Sequence, residues 1–212
     1  MPFQIRPETP ADSESIAGVT RTAFLNAAHT DHNEEFIVAA LRAAGALTAS
    51  LVAEVSGQVV GHVALSPVSI SDGATGWFGL GPISVLPAFQ KQGLGAALMQ
   101  AALRQLAQLG AAGCVLLGDP AYYRRFGFER HAGLVLPGVP PEYFMALAFK
   151  GVVPSGAVSY HPAFAATACL GEPTGACSSC SSCSAMVCIH FAGSCKGGWS
   201  KARANVGRTM WA

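Results

Sequence analysis

The turn at residues 90–95, QKQGLG, constrains this chain most, because it joins the end of a strand to the start of an amphipathic helix. The first amides of a helix have no partners inside the helix, and the helix dipole makes that end positive. Glycine lets the backbone come close to a bulky anion. The pattern predicts a phosphate-binding turn, although a tight turn that only needs positive φ has the same sequence.

Two common phosphate-binding motifs do not fit this turn. A dinucleotide site has a third glycine where this chain has Leu98, and an acid about 20 residues further on. Here no acid occurs between the turn and Asp119. The P-loop pattern, with its Lys-Ser or Lys-Thr ending, is also missing from the turn. What remains is Gln-x-x-Gly-x-Gly, formed by Gln90, Gly93 and Gly95.

Hydrophobic periodicity predicts strands interspersed with helices, which is typical of an α/β or α+β domain. The predicted helices start near Thr9, at residue 32 and after the glycine turn, and a short one starts near Asp119. A Ser-Gly pair at residues 56–57 predicts a hairpin turn. The predicted strands are residues 3–6, 51–55, 59–63, 77–85, 114–118, 134–136 and 143–149.

Apolar faces and glycines refine this prediction. The helix at residues 32–45 should bury Phe36, Ala40 and Ala44, and the helix after the turn should bury Leu98, Ala102, Leu106 and Leu109. The strand at residues 77–85 contains Gly79, Gly81 and Pro82. Because proline cannot donate to a strand ladder and glycine often marks a bulge, we expect this strand to be locally irregular.

Composition limits the function classes. Hydrophobic residues make up 51% of the 212 residues and charged residues 12%, so the chain is globular. A net charge of +1 gives no argument for binding nucleic acid or an acidic membrane. The N-terminus does not resemble a signal peptide, and no long apolar window predicts a membrane span. We expect a cytoplasmic protein, monomeric or homodimeric.

The cysteines divide the chain near Ala168. Residues 1–168 hold Cys114 alone, whereas residues 169–212 hold six cysteines and several serines and glycines. We expect a folded domain at 1–168 and a disordered tail at 169–212, with no bound metal. The tail pattern Cys-x-x-Cys-x-x-Cys leaves a zinc or iron–sulfur site open, and an out-of-frame extension is a further alternative.

Three motifs, in this order, resemble the GNAT superfamily of acyl-CoA-dependent N-acyltransferases. They are IRPETPADSESI at residues 5–16, LGPISVLPAFQ running into the glycine turn at residues 80–95, and YYRRFGF at residues 122–128. The resemblance covers about residues 3–165, and GDPAYYRRFGF is similar to a bacterial branch described as predicted N-acetyltransferases. It implies one domain with a central mixed, largely antiparallel sheet, flanked by helices and splayed at an acetyl-CoA site.

The resemblance also implies which residues contact the coenzyme. The glycine turn would hold the pyrophosphate, and the preceding strand would pair with the pantetheine arm through its exposed backbone. Tyr123 and Phe126 would lie near the same coenzyme. The implied contacts in the strand and turn are Ile83, Ser84, Val85, Gln90, Lys91, Gln92, Gly93, Leu94, Gly95 and Ala96.

The implied reaction involves two proton transfers, and each requires a group that donates or accepts the proton. Family members often place a tyrosine near the coenzyme sulfur, so the resemblance implies Tyr123 as the acid that protonates the leaving thiolate; a phenol pKa near about 10 is close to that of an alkyl thiol. For the base that takes the amine proton, the interpretation selects Glu35 in the second helix. Alternatives left open are a water chain and the residues Glu34, His29, His32 and His62.

The implied function is transfer of an acetyl group from acetyl-CoA to a primary amine of a small molecule or peptide, by direct attack in a ternary complex. A non-catalytic acyl-CoA sensor on the same fold is one alternative. A regulatory protein that binds metal through its cysteine-rich tail is another. The loops at residues 27–33 and 69–76 carry no charge pattern that identifies the acceptor.

Overall fold

The computed structural model describes residues 2–25, 30 and 32–167 of the chain. The predicted tail at 169–212 lies outside these residues, as does His29. The predictions for the tail, including its disorder and its open metal alternative, therefore stay predictions.

The described residues form one sheet with helices on it. The helices are α1 (Ser13–Phe24), α2 (Glu34–Ala43), α3 (Leu94–Gln108) and the short α4 (Pro120–Tyr123), and 3-10 turns occur at Pro10–Asp12, Pro87–Phe89, Arg124–Phe126 and Pro162–Ala165. The strands are β1 (Gln4–Pro7), β2 (Ala49–Val55), β3 (Gln58–Ile70), β4 (Trp77–Val85), β5 (Gly113–Leu117), β6 (Leu134–Val135), β7 (Phe144–Ala148) and β8 (Gly156–Tyr160).

The sheet is mixed and largely antiparallel, which confirms the predicted fold class. Its main order is β1-β2-β3-β4-β5-β7. Within this order, only β4 and β5 run parallel, and they are joined by α3 as a crossover. The β2–β3 turn also agrees with its prediction, because Ser56 and Gly57 have φ of 51° and 79°, as a type I′ hairpin turn requires.

Strand β8 was missed by the sequence analysis. It pairs antiparallel with the last residues of β3, from Val68–Tyr160 to Ile70–Val158, and parallel with β6. The predicted strand at 59–63 ends seven residues before β3 does, so the segment that recruits β8 was missing from the prediction. A strand of five residues that is stabilised by such a distant partner has little local signal of its own.

The buried faces of α2 and α3 differ in part from prediction. In α3 the buried residues are Leu94, Gly95, Leu98, Met99, Ala102 and Leu106. Leu109 is 58% exposed, because the helix ends at Gln108 and Gly110, with φ of 76°, turns the chain away. In α2 the buried residues are Ile37, Val38, Ala40 and Leu41. The buried stripe is rotated from the predicted one, because α2 packs against both α1 and the 3-10 turn at Pro162–Ala165.

Gly113 and Gly18 allow a matched test of this packing. A Cβ atom on Gly113 would overlap two ring atoms of Trp77 and would lie 2.7 Å from the carbonyl oxygen of Leu147. We expect Gly113→Ala to lower the free energy of unfolding by about 1–3 kcal/mol, because the backbone oxygen cannot move aside. Gly18→Ala, in α1 with nothing within 4 Å, should raise it by roughly 0.5–1 kcal/mol. Urea unfolding measures both free energies. Equal changes in the two variants would contradict the close packing of Trp77 and Leu147 against Gly113.

Candidate active site

The two parallel strands in the centre of the sheet separate along their length. The register of β4 with β5 covers three pairs, from Trp77–Gly113 to Gly79–Val115. Beyond Gly79, β4 continues beside β3, while β5 continues beside β7. Among the described residues, no strand therefore pairs with one edge of β4 at residues 80–85, which confirms the predicted splay.

A β-bulge lies at the start of this free edge. On β3, Leu65 pairs with Leu80 and Val63 pairs with Ile83, so Gly81 and Pro82 stand opposite a single residue. The predicted irregularity of this strand is confirmed. Because a bulge bends its strand and increases the local twist, it turns β4 away from β5 at this point.

The free edge offers backbone rather than side chains. Ile83, Ser84 and Val85 are all buried, with 8% exposure or less. Ile83 and Val85 pack in the main core, and the Ser84 hydroxyl lies 3.3 Å from that of Thr20 on α1. Their side chains are thus committed to the two faces of the sheet. An extended ligand in the gap would meet the amide and carbonyl groups along the strand edge.

The glycine turn leads from this edge to the start of α3. Gly93 is the N-cap residue with φ of 88°, and Lys91 also has a positive φ of 60°. The amide of Ala97 bonds to the Gly93 carbonyl, so the amides before it have no acceptor within the helix. A Cβ atom at Gly93 would meet nothing within 4 Å, which leaves room beside these amides.

Two glutamines stabilise the turn itself. The Gln90 side-chain amide donates to the Val85 carbonyl at 3.0 Å, and that of Gln92 donates to the Ala88 carbonyl at 3.0 Å. These bonds tie the turn to the end of β4. The structure therefore places a conformational role on both side chains, while the predicted contact with a ligand stays a prediction.

Tyr123 lies at the end of α4, where it is 1% exposed. Its ring packs directly over Gly118, where a Cβ atom would overlap the ring, and it stands edge-on to Tyr122 and Phe128. Burial raises the pKa of Tyr123 well above its ordinary value, so the phenol keeps its proton. The ring can take this position because residue 118 is a glycine, and the sequence analysis did not identify this requirement.

The neighbouring aromatic residues are less buried. Tyr122 is half-buried and carries the Arg125 guanidinium 3.7 Å from its ring centroid, and Phe126 lies against the same tyrosine at 5.6 Å. Burial raises the pKa of Tyr122, which is opposed by the charge of Arg125. Adjacent tyrosines therefore have different surroundings, as expected for adjacent positions on a helix.

Glu35 lines a cavity of about 110 Å³ beside the start of α2. The cavity is also lined by Arg21, Phe24, Leu25, His32 and Glu34. Arg21 donates to both carboxylate oxygens of Glu35, at 2.8 and 2.5 Å. Glu34 accepts a hydrogen bond from Thr30. The structure thus groups three of the candidate bases, and it commits both oxygens of Glu35 to a guanidinium.

His62 lies elsewhere, fully buried in a polar network that the sequence analysis missed and whose other end, at Glu8 and Arg42, is partly exposed. Arg42 donates two hydrogen bonds to Glu8, at 2.9 and 2.8 Å. Ser50 donates to the same carboxylate at 2.5 Å and lies 2.8 Å from His62 Nε2. No spacing in the sequence connects these four residues, because the β2–β3 register and the packing of α2 bring them together. Burial lowers the pKa of His62 to about 4.

Comparisons with known proteins agree with this geometry. The family model of the acetyltransferase (GNAT) domain matches residues 47–130. The chain is 38% identical to the uncharacterized N-acetyltransferase YhbS of Escherichia coli K12 over 169 residues, covering 76% of this chain and 97% of that protein. The chain therefore belongs to the GNAT family of N-acetyltransferases, and the predicted family is confirmed.

Two solved structures resemble the chain closely. A GNAT family acetyltransferase from Brucella melitensis, in complex with acetyl-CoA, is 51% identical with a TM-score of 0.69; the match covers 77% of this chain and 98% of that one. Escherichia coli YhbS in complex with CoA is 37% identical with a TM-score of 0.69, covering 76% and 91%. Among the described residues, no helix has the length and hydrophobicity needed to cross a membrane.

The burial of His62 predicts acid-sensitive stability. The unfolded chain binds a proton at this side chain near pH 6.5, whereas the folded chain does so near pH 4. Stability from this residue is therefore present above pH 6.5 and is lost as the pH falls toward 4, by roughly 3 kcal/mol in total. We expect His62→Gln to flatten this part of the stability profile, measured by urea unfolding between about pH 4.5 and 7.5.

A control separates the effect of His62 on the pH dependence of stability from the effects of other titratable groups. The hydrogen bonds of Arg6 hold the pKa of Asp12 well below its usual range, so Asp12 contributes acid sensitivity at lower pH. His161→Gln replaces a histidine outside this network, whose Nδ1 accepts from the Ala163 amide, and it should retain the part of the profile that His62 contributes. Parallel profiles for the parent and His62→Gln would contradict the prediction.

Proposed function

We propose that this protein transfers an acetyl group from acetyl-CoA to a primary amine of a small molecule or peptide, by direct attack in a ternary complex. The observation that carries the proposal is the free edge of β4, which leads directly to the unpaired amides of α3. An elongated ligand with an extended arm and an anionic end fits this arrangement. The acetyl-CoA and CoA complexes of the two relatives support it.

The pyrophosphate would lie at the N-terminus of α3. Amides of Gly93, Leu94, Gly95 and Ala96 would bind its oxygens, and the exposed Lys91 would add charge. Gln90 and Gln92 would hold the turn in shape from behind. The pantetheine arm would then pair with the backbone of β4, and its sulfur would approach α4. The proposed contacts along this arm are Ile83, Ser84, Val85, Tyr123 and Phe126.

The reaction forms a carbon–nitrogen bond and breaks a carbon–sulfur bond. The amine attacks the thioester carbonyl, and coenzyme A leaves as a thiolate. Tyr123 would donate its proton to the sulfur. Because burial raises the pKa of this phenol, the transfer would be less closely balanced than the ordinary pKa of a phenol implies. Glu35 as the base that takes the amine proton stays a prediction, and Arg21 would have to release one of its oxygens for this role.

The glycine turn can be tested by a pair of substitutions at Gly93. Both Asn and Asp tolerate positive φ and serve as N-caps, so either variant should fold. We expect Gly93→Asp to weaken acetyl-CoA binding far more than Gly93→Asn, because only the aspartate places a negative charge beside the pyrophosphate. Isothermal calorimetry gives both affinities. If both variants fold and bind acetyl-CoA with equal affinity, the turn does not hold the pyrophosphate.

Tyr123 can be tested against its neighbour. Tyr123→Phe should lower the turnover number by about 100- to 10,000-fold and leave acetyl-CoA affinity nearly unchanged, because the ring still packs while the proton is lost. Tyr122→Phe is the matched control and should retain most of the activity. Full activity in Tyr123→Phe would assign the acid to another group, and equal losses in both variants would indicate packing damage.

These measurements need an acceptor. A screen of amines, peptides and small antibiotics, with coenzyme A release as the readout, identifies the chemical class of the acceptor. Acetyl-CoA binding without transfer to any amine would favour the non-catalytic sensor instead. The cavity beside α2 carries Arg21 as well as Glu34 and Glu35 at its wall, so the screen should include neutral, anionic and cationic amines.

A further inference from the structure

We infer that the cavity beside the start of α2 binds an acceptor that carries a carboxylate next to its amine, as a free α-amino acid does, and that Arg21 recognises this carboxylate. The inference rests on the proposed acetyl transfer and deepens it, because it names the chemical class of the acceptor. It also gives Glu35 a different part from the predicted one, since Glu35 would position Arg21 and need not take a proton.

Helix α1 connects this cavity to the free edge of β4. Ile16, Thr20 and Phe24 recur at every fourth position and are all buried, so they form one stripe that faces the sheet. The Thr20 hydroxyl lies 3.3 Å from that of Ser84, within the free segment of β4. Phe24 lines the cavity one turn later, about 6 Å further along α1. The cavity wall therefore lies about one helical turn from a direct contact with the free edge.

The direction of α1 places the cavity toward the bulge in β4. Leu86 packs against the apolar cluster under the first turns of α1, whereas Ser84, two residues earlier in the chain, contacts Thr20 further along the helix. Helix α1 thus runs antiparallel to β4, and its last residue, Phe24, lies toward the bulge. The proposed pyrophosphate site is at the opposite end of the free edge. A pantetheine arm that follows this edge would bring its thioester toward the cavity.

The volume of the cavity suits a small group. As bounded by the described residues, it holds about 110 Å³, well below the roughly 300–1,000 Å³ of sites that enclose drug-sized ligands. Such a space has room for several water molecules, and so for a group of a few non-hydrogen atoms. An ammonium and a carboxylate on one carbon atom form a group of this size.

Arg21 presents hydrogen-bond donors that its ion pair does not use. A guanidinium carries five N–H groups, and Arg21 gives one from Nε and one from Nη2 to Glu35. The other three have no acceptor in the part of the chain that the structure describes. The side chain is 65% exposed, so this free edge is open to a ligand. Two parallel N–H groups on such an edge match the two oxygens of a carboxylate.

Glu35 holds the guanidinium in position. Its own side chain is only 11% exposed, and both of its oxygens accept from Arg21, at 2.8 and 2.5 Å. A long side chain that must be ordered when a ligand binds weakens the binding, and a side chain that is already held avoids part of this cost. The bidentate pair therefore preorganises Arg21 for a second carboxylate.

Glu34 supplies the opposite charge at the same wall. One of its carboxylate oxygens accepts from the Thr30 hydroxyl, and the other has no partner among the described residues. Together, Arg21, Glu34 and Glu35 carry one negative charge, which favours an ammonium beside Glu34. An acceptor with both an ammonium and a carboxylate matches both free groups, whereas a simple cationic amine leaves the free edge of Arg21 unused.

The test measures acceptor preference in the full-length protein. Each α-amino acid of a panel is paired with its amide, which keeps the amine and the side chain but lacks the carboxylate. We expect the parent protein to prefer the acid by about 10- to 100-fold in kcat/KM, because the amide loses the charge-assisted pair with Arg21. Arg21→Gln should bring the ratio of acid to amide near one, and Arg21→Lys should retain part of the preference.

The ratio has internal controls. Both acceptors are measured on one protein sample, so incomplete folding of a variant cancels in the ratio. The different basicity of the two amines cancels when the ratio of a variant is compared with that of the parent. Arg104→Gln is the matched variant, because Arg104 is an exposed arginine on α3, and it should keep the parental ratio.

Variants of Glu35 separate positioning from proton transfer. Glu35→Ala removes the support of Arg21, so it should raise KM for the acid and leave kcat at saturation close to the parent. Glu35→Gln, whose amide oxygen still accepts from Arg21, should recover much of the affinity for the acid. A large loss of kcat for both acceptors in both variants would show that Glu35 is the base, and it would overturn the positioning role.

The remaining outcomes separate this inference from the proposed function. A parent that acetylates amides or simple amines as well as amino acids overturns the inference while the proposed function stands. The same holds if Arg21→Gln lowers kcat/KM for acid and amide equally, because an unchanged ratio marks an ion pair that only joins α1 to α2. Failure of the parent to bind acetyl-CoA, or binding without transfer to any amine, overturns the proposed function and the inference with it.

Discussion

The separation of β4 from β5 is the feature on which the rest of this molecule depends. A sheet normally satisfies the backbone of each central strand on both sides, and here residues 80–85 of β4 keep one side free. The bulge at Gly81 and Pro82 bends the strand, and the 3-10 turn at Pro87–Phe89 and the glycine turn lead from the freed segment to the start of α3. Among the described residues, a free strand edge and a helix terminus thus lie at the two ends of one short segment, and both offer backbone groups.

The two faces of the splayed strand have different chemistry. On one face, Ile83 and Val85 join the large apolar core under α3. On the other, Ser84 and His62 lie side by side beneath α1, next to Ser50 and Glu8. Burying these polar groups is costly unless they bond to one another, so the network also stabilises the approach of α2 through Arg42.

Local chemistry made much of the architecture predictable. The Ser56-Gly57 turn, the glycine turn before α3 and the irregular strand with Pro82 each follow from backbone preferences that act over a few residues. Where the end of an element depended on its neighbours, prediction was less accurate. Leu109 continues the apolar period of α3 and yet is exposed, because the helix ends one residue earlier and Gly110 redirects the chain.

The sequence by itself determined the family, the glycine turn and the position of Tyr123 in its motif, because each is written in contiguous residues. The tertiary structure decided which candidate side chains have partners. It joined Arg21 to Glu35, and it brought Glu8, Arg42, Ser50 and His62 together from three strands or loops and a helix. These contacts depend on strand register and helix packing between residues up to 54 positions apart, and hydrogen bonds at such separations leave no periodic signal in the chain.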